Sequence, residues 1–206
     1  MWGAAVAAVI RRGWDLVDAT HGIDDKYPVR VHSACAGLVN AGFLAVERAM
    51  KERGVTARLV VASEAVPWIR EGLQLQYPGT VLLEDAGQFE EYTRNAHILV
   101  ASWPCKPYSS ANVEGRTSPR VWRKRVWENT HLVCKIIAGA CMQQGGPPRL
   151  LVLENVPGLK SRRKCWPMLR HILAEMALTP YTWFSQIVCA REHAGVGSAD
   201  GPGCFW

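Results

Sequence analysis

The chain lacks any apolar run near the roughly 18 residues that a membrane-spanning helix needs. Its apolar opening, Trp2 to Ile10, is far shorter than that. No basic stretch precedes this opening, and Arg11-Arg12 follow it. An N-terminal helix or a start-site artefact is therefore expected rather than a secretory signal, with an organellar transit peptide left open. Cys-x-x-Cys pairs are also missing. The seven cysteines (35, 105, 134, 141, 165, 189 and 204) are odd in number and scattered, so neither a zinc site nor a disulfide framework is expected. Reduced thiols in a nuclear or cytoplasmic compartment fit that usage. There is no internal repeat and no long linker. Charged residues are 20% of the chain against 49% hydrophobic, which excludes an intrinsically disordered polypeptide.

What remains is a 206-residue chain suited to one domain with a sizeable core. Its net charge of +6 suits a polyanionic partner without requiring one. Short apolar runs alternate with segments of helical spacing. Val29 to Ala34 reads as a strand, Cys35-Ala36-Gly37 as a turn, and Asn40 to Arg53 as a helix with Phe43, Val46, Glu47 and Met50 near one face. Gly54 ends that helix. Arg58 to Ser63 is a strand, Pro67 to about Leu75 a helix closed by Pro78-Gly79, and Val81 to Leu83 a weaker strand. His97 to Val100 is a strand, Lys106 to about Ser118 a polar loop, and Pro119 to Met142 a long helix. After a loop from Gln143 to Pro148, Arg149 to Glu154 is a strand, Lys164 to Met176 a helix, and Tyr181 to Ala190 a final strand. This alternation predicts an α/β fold, a largely parallel sheet with helices on both faces.

Two strand ends carry the chemistry. The first run leads into Ala101-Ser102-Trp103-Pro104-Cys105-Lys106-Pro107-Tyr108-Ser109-Ser110, which sets a cysteine between two prolines on a stiff turn. The run Leu150 to Leu153 ends in Glu154-Asn155-Val156-Pro157. Open α/β sheets bind ligands at the carboxyl ends of their strands, so a thiol and a carboxyl can meet in one crevice. With the glycine-bearing first strand, these motifs resemble the cytosine-C5 DNA methyltransferase family, whose hallmarks are a Pro-Cys-Gln-Pro-Phe-Ser-like loop and a later Glu-Asn-Val.

The resemblance implies a Rossmann-like, S-adenosylmethionine-dependent methyltransferase sheet and assigns roles to five residues. Gly37 lies in the cofactor loop, where Val39 and Asn40 stand at positions that are usually glycine. Glu64, closing the second strand, is the ribose ligand. Asp85 faces the adenine amino group, with Glu84 competing for that corner. Cys105 is the nucleophile that adds to C6 of cytosine, and Glu154 is the acid at N3, its pKa raised by burial. Asn155 is expected to brace the two turns by hydrogen bonds. Trp103 stands where the family prefers proline or a small residue, and no sequence feature accounts for it.

The expected substrate is cytosine in DNA; a transfer-RNA cytosine is the enzymatic alternative, and a catalytically inactive nucleic-acid or partner-binding remnant is the non-enzymatic one. A flipped base needs its backbone held. Arg116, Arg120, Arg123, Lys124 and Arg125, and the second cluster Arg162-Arg163-Lys164, are the expected phosphate contacts. No metal and no membrane is expected as a partner. The family pattern runs to about Val196, so residues 1–28 are unassigned, 29–196 read as a partial catalytic lobe, and 197–206 as a divergent tail. The missing Pro-Gln and arginine pair after Val196 read as a fragment, splice form or faulty gene model, with little methyl transfer expected from this chain alone.

Overall fold

The structure, a computed structural model, describes residues 7–15, 28–37, 40–88, 96–109, 118–142, 146–161, 165–183, 185, 188–189 and 204–205. Its centre is a five-stranded sheet of β1 (Val29–Ala34), β2 (Ala57–Ser63), β3 (Val81–Leu83), β4 (Ile98–Ala101) and β5 (Leu150–Leu153). The spatial order is β3-β2-β1-β4-β5, and every pairing is parallel. This order places a topological switch point between β1 and β4, as in Rossmann-like sheets, and the ligand crevice of such a sheet opens there. The Rossmann-like α/β class expected from the sequence is therefore present.

Strand alternation builds a core on each face of the sheet. In β4, Ile98 and Val100 join one buried cluster, while Leu99 and Ala101 join the other. A strand covered on both sides needs a continuous apolar run, which is what Ile98-Leu99-Val100-Ala101 supplies. Each buried leucine or isoleucine contributes roughly 1.5–3 kcal/mol by leaving water. On the first face lie α1 (described residues 7–15), α2 (Ala41–Lys51) and α3 (Pro67–Gln76), through Ile10, Trp14, Phe43, Val46, Met50 and Leu73. On the second lie α4 (Pro119–Cys141), α5 (Gly158–Ser161) and α6 (Trp166–Ala177), with Val126, Val133 and Ile137 of α4 packed beside Met168 and Ile172 of α6. Among the described residues no helix is long and apolar enough to cross a membrane.

Two local features hold α2 against the sheet. Its N-cap, Asn40, adopts the left-handed conformation at φ 42°, which asparagine tolerates better than most residues. Asn40 Oδ1 accepts from the Phe43 N–H at 3.4 Å and from the Ser33 hydroxyl at 2.6 Å. Gly42 then lets the helix approach β4 closely: a β-carbon there would stand 2.7 Å from Val100 Cγ1.

The expected strand from Tyr181 to Ala190 requires correction. Within that span the described residues are strand only at Val188–Cys189, and these pair antiparallel with Cys204–Phe205 in a separate two-stranded sheet (β6 and β7). Tyr181 and Trp183 lie outside any strand. The Tyr181 hydroxyl donates to the Pro148 carbonyl at 2.7 Å, and the Trp183 indole N–H reaches the Met176 carbonyl at 2.9 Å. Their rings meet edge to face and pack on the α4–α6 core. Aromatic content that reads as strand propensity serves packing here.

Candidate active site

All five residues singled out from the sequence stand at or just beyond the carboxyl ends of the five parallel strands. Gly37 follows β1, Glu64 β2, Asp85 β3, Cys105 β4 and Glu154 β5. The sheet thus gathers them along one edge, in two groups on either side of the switch point.

The first group surrounds the β1–α2 turn. Cys35 and Gly37 both have positive φ, 55° and 65°, and nothing lies within 4 Å of a β-carbon built on Gly37. Open space beside a backbone N–H is what a ligand needs to approach the chain. The Glu64 carboxylate spans this opening. One oxygen accepts from the Gly37 N–H at 2.9 Å and the other from the Val66 N–H at 3.0 Å. Asp85 accepts from the Gly87 N–H at 2.8 Å and is exposed. Both carboxylates face Cys35: burial first, then the charges of Glu64 and Asp85, push its thiol up to about 12, so it stays protonated and inert. Asn40 adds a buried side-chain amide whose N–H donors have no partner among the described residues. Glu84 instead forms an ion pair with Arg70 at 2.8 Å, leaving Asp85 as the free carboxylate of the pair at that corner. Val39 lies outside the described residues.

The second group joins β4 to β5. These strands pair in register, Ala101 opposite Leu153, and the Glu154 N–H extends the ladder to the Ala101 carbonyl at 2.9 Å. The turn after β4 closes on itself: the Tyr108 and Ser109 N–H groups donate to the Cys105 carbonyl at 2.9 and 3.1 Å. Cys105 is exposed at its tip. Asn155 Nδ2 donates to the Trp103 carbonyl at 3.1 Å while its Oδ1 accepts from the Val156 N–H, so it ties the two turns together as expected.

Burial raises the Glu154 carboxyl to about 7, opposed by the nearby Ser102 hydroxyl. The crevice walls also lift the Cys105 thiol above its ordinary range, and the negative charge of Glu154 lifts it further. The two groups are therefore electrostatically coupled. Between about pH 7 and the thiol's own titration the pair holds one proton, which sits on Cys105, the group with the higher affinity for it, beside an ionised Glu154. Transfer of that proton to Glu154 turns the pair into a thiolate and a neutral acid.

Three residues that hold this arrangement were not singled out from the sequence. Asn129 Nδ2 donates to the Pro104 carbonyl at 3.3 Å, and the Trp122 indole donates to the Pro107 carbonyl at 2.8 Å, so α4 grips both flanks of the cysteine. Ser102 is the third, through its contact with Glu154. Asn129 lies seven residues beyond Trp122, on the same helical face as Val126 and Val133. An amide on an otherwise apolar face was the available signal. Trp103 is buried with Tyr108 in the α4-side core, which gives the large ring a packing role beneath the turn. Of the expected phosphate contacts, Arg116 and Arg162-Arg163-Lys164 lie outside the described residues, as does the tail apart from Cys204–Phe205. Among the described residues no group of three or more metal-ligating side chains occurs.

The C-5 cytosine-specific DNA methylase family matches residues 34–196, the stretch that holds both groups. No curated protein matches the chain. Among solved structures it is similar to the Entamoeba histolytica methyltransferase EhMeth, at 14% identity and a TM-score of 0.45 over 72% of this chain and 44% of that one. It is also similar to the sugar N-methyltransferase KedS8 from a Streptoalloteichus species, at 14% identity and a TM-score of 0.39 over 75% of this chain and 48% of that one. The chain spans less than half the length of either, and likeness at this level carries no argument about chemistry.

Proposed function

The chain belongs to the C-5 cytosine-specific DNA methylase family, and on that premise we propose that its Cys105 and Glu154 serve methyl transfer from S-adenosylmethionine to C5 of a cytosine in DNA. The observation that carries this reading is the coupled pair at the ends of β4 and β5. One group has the softness to add to an electron-poor ring, and the other holds a proton near neutrality.

The residues around Gly37 fit the cofactor. Open space beside Gly37, a carboxylate held across it at Glu64, an exposed Asp85 and a buried amide donor at Asn40 match a ligand with an amino acid end, ribose hydroxyls and an adenine amino group. When bound, S-adenosylmethionine supplies a sulfonium methyl. Glu64 accepts from the ribose hydroxyls, and Asp85 accepts from the adenine amino group.

The chain's own residues do the rest. Cys105 passes its proton to Glu154 and adds as thiolate to C6 of the base, forming a carbon–sulfur bond and pushing electrons toward N3. Glu154 gives its proton to N3, so no full charge builds on the ring. C5 is then electron-rich and would take the methyl, the methyl–sulfur bond of the sulfonium breaking to leave a neutral thioether as the carbon–methyl bond forms. Loss of the C5 proton to solvent and return of the N3 proton to Glu154 let the C6–sulfur bond break, which releases the thiolate. Splitting one hard substitution into addition and elimination is the gain. Asn155, Asn129 and Trp122 hold the two turns so that thiol and carboxyl face the same ring.

Incubation of the chain with labelled S-adenosylmethionine and either DNA or transfer RNA tests the reading. Label at C5 of cytosine in DNA, at a low level and lost in Cys105→Ser, is the expected result. Transfer confined to transfer RNA would reassign the substrate. Calorimetric titration that finds no cofactor binding would remove the reading altogether.

A further inference from the structure

Long helix α4 does two jobs on opposite sides. Trp122, Val126 and Asn129 face the cysteine turn and the core. At 3.6 residues per turn, Arg120, Arg123, Lys124, Trp127 and His131 fall on the other side, spaced so that they form one stripe. Arg120, Arg123, Lys124 and His131 are exposed, and Trp127 is half-buried. Pro119, Arg120, Arg123, Lys124 and Trp127 line one open cleft. The stripe continues across to α6: the rings of Trp127, His131 and His171 stand 5.7–5.9 Å from one another. Arg120, Arg123 and Lys124 outnumber the carboxylates of this surface, Glu128 and, one turn beyond His171, Glu175. Glu128 pairs with Lys124 at 3.7 Å, and both of these side chains are open to water.

These cations do not lie on the face of α4 that grips the cysteine turn, so their charge is not explained by the reaction there. We propose that the α4–α6 stripe is a docking surface for a single strand of nucleic acid, separate from the Cys105 crevice. Arg120, Arg123 and Lys124 contact successive phosphates, and a base stacks on Trp127 with the two histidine rings beside it. Cations that track a backbone next to an aromatic stacking surface are how sequence-tolerant single-strand binding is built. A peptide bearing acidic side chains would satisfy the charges but would leave the aromatic triangle without a planar partner. The proposal rests on the reading above for the class of polymer. It extends that reading by placing a second contact away from the reacting base.

The test is fluorescence anisotropy of a labelled oligodeoxynucleotide of about 20 bases of mixed sequence, titrated with the full chain over a range of salt. Removing three charges together (Arg120→Gln, Arg123→Gln, Lys124→Gln) should weaken binding at least tenfold and reduce the salt slope by about two, since each phosphate contact contributes about 0.7. Removing three exposed charges elsewhere (Lys51→Gln, Arg58→Gln, Arg149→Gln) should leave most of the slope in place. Trp127→Leu should weaken binding by about fivefold or more, while Trp127→Phe, which keeps a stacking face, should retain it. Equal losses in the two charge triples would show diffuse attraction and overturn the proposal. Wild-type affinity in Trp127→Leu, or heparin competing as well as DNA in all variants, would do the same. Failure of methyl transfer with these binding differences intact would sink only the catalytic reading.

Discussion

Replacing Glu154 by glutamine should make the protein more stable at alkaline pH while disabling its proposed chemistry. The carboxyl is carried by burial from 4.5 to about 7. Its folded value lies above its unfolded one, so the stability it contributes is fully present below pH 4.5 and is lost as pH rises through 7. At 1.36 kcal/mol per unit, the loss between those limits is about 3 kcal/mol. Glutamine has nearly the same shape and does not ionise. The variant should therefore match the wild type near pH 4.5 and exceed it by up to about 3 kcal/mol above pH 8. Urea unfolding at intervals between those limits measures the difference directly. Parallel stability curves for the two proteins would show that Glu154 is not held in a low-dielectric crevice. The coupled-pair argument would then fail with it.

Other expectations follow from the same geometry. In Glu154→Gln the charge that raises the Cys105 thiol is gone, so the midpoint of iodoacetamide labelling at Cys105 should move to lower pH; an unchanged midpoint would separate the two groups. Gly42→Ala forces a methyl to within 2.7 Å of Val100 Cγ1 and should cost about 1–3 kcal/mol in thermal unfolding, unlike Ala substitution at exposed Arg48. Asn129→Ala removes one hydrogen bond to the cysteine turn, worth about 0.5–1.5 kcal/mol. Proteolysis of the 102–109 turn should quicken by about 2- to 12-fold, and an unchanged rate would deny the grip of α4.

Much of the site was legible because it depends on strand ends. A four-residue apolar run that stops at Pro-Cys or at Glu-Asn announces both the strand and what it delivers, and parallel pairing then puts Cys105 and Glu154 on neighbouring strands. Asn155 was legible for the same reason: an amide after a buried strand has two turns within reach. The left-handed twist at Asn40 was not, because the sequence shows a departure from glycine without showing that asparagine can take the same backbone conformation and cap the helix as well. Asn129 and Trp122 were hidden because their partners in the cysteine turn, 25 and 15 residues upstream, are set by tertiary packing that no local pattern shows. The region from Tyr181 to Trp183 was misread because strand propensity reports a liking for half-buried surface, which a turn packed on two helices also provides. The direction of the Arg120–Lys124 cluster follows from helix phase, and phase is set by which face Trp122 buries.

The most direct measurement is covalent trapping. DNA carrying 5-fluorocytosine, incubated with the chain and S-adenosylmethionine, holds any C6–sulfur adduct in place, because fluorine at C5 does not leave as a proton does. Trapped product accumulates even when turnover is slow. The expected product is an adduct that survives denaturation, maps by mass spectrometry to Cys105 and is absent in Cys105→Ser. An adduct on another cysteine, an undiminished adduct in the variant, or none in a protein shown to bind both DNA and cofactor would contradict it.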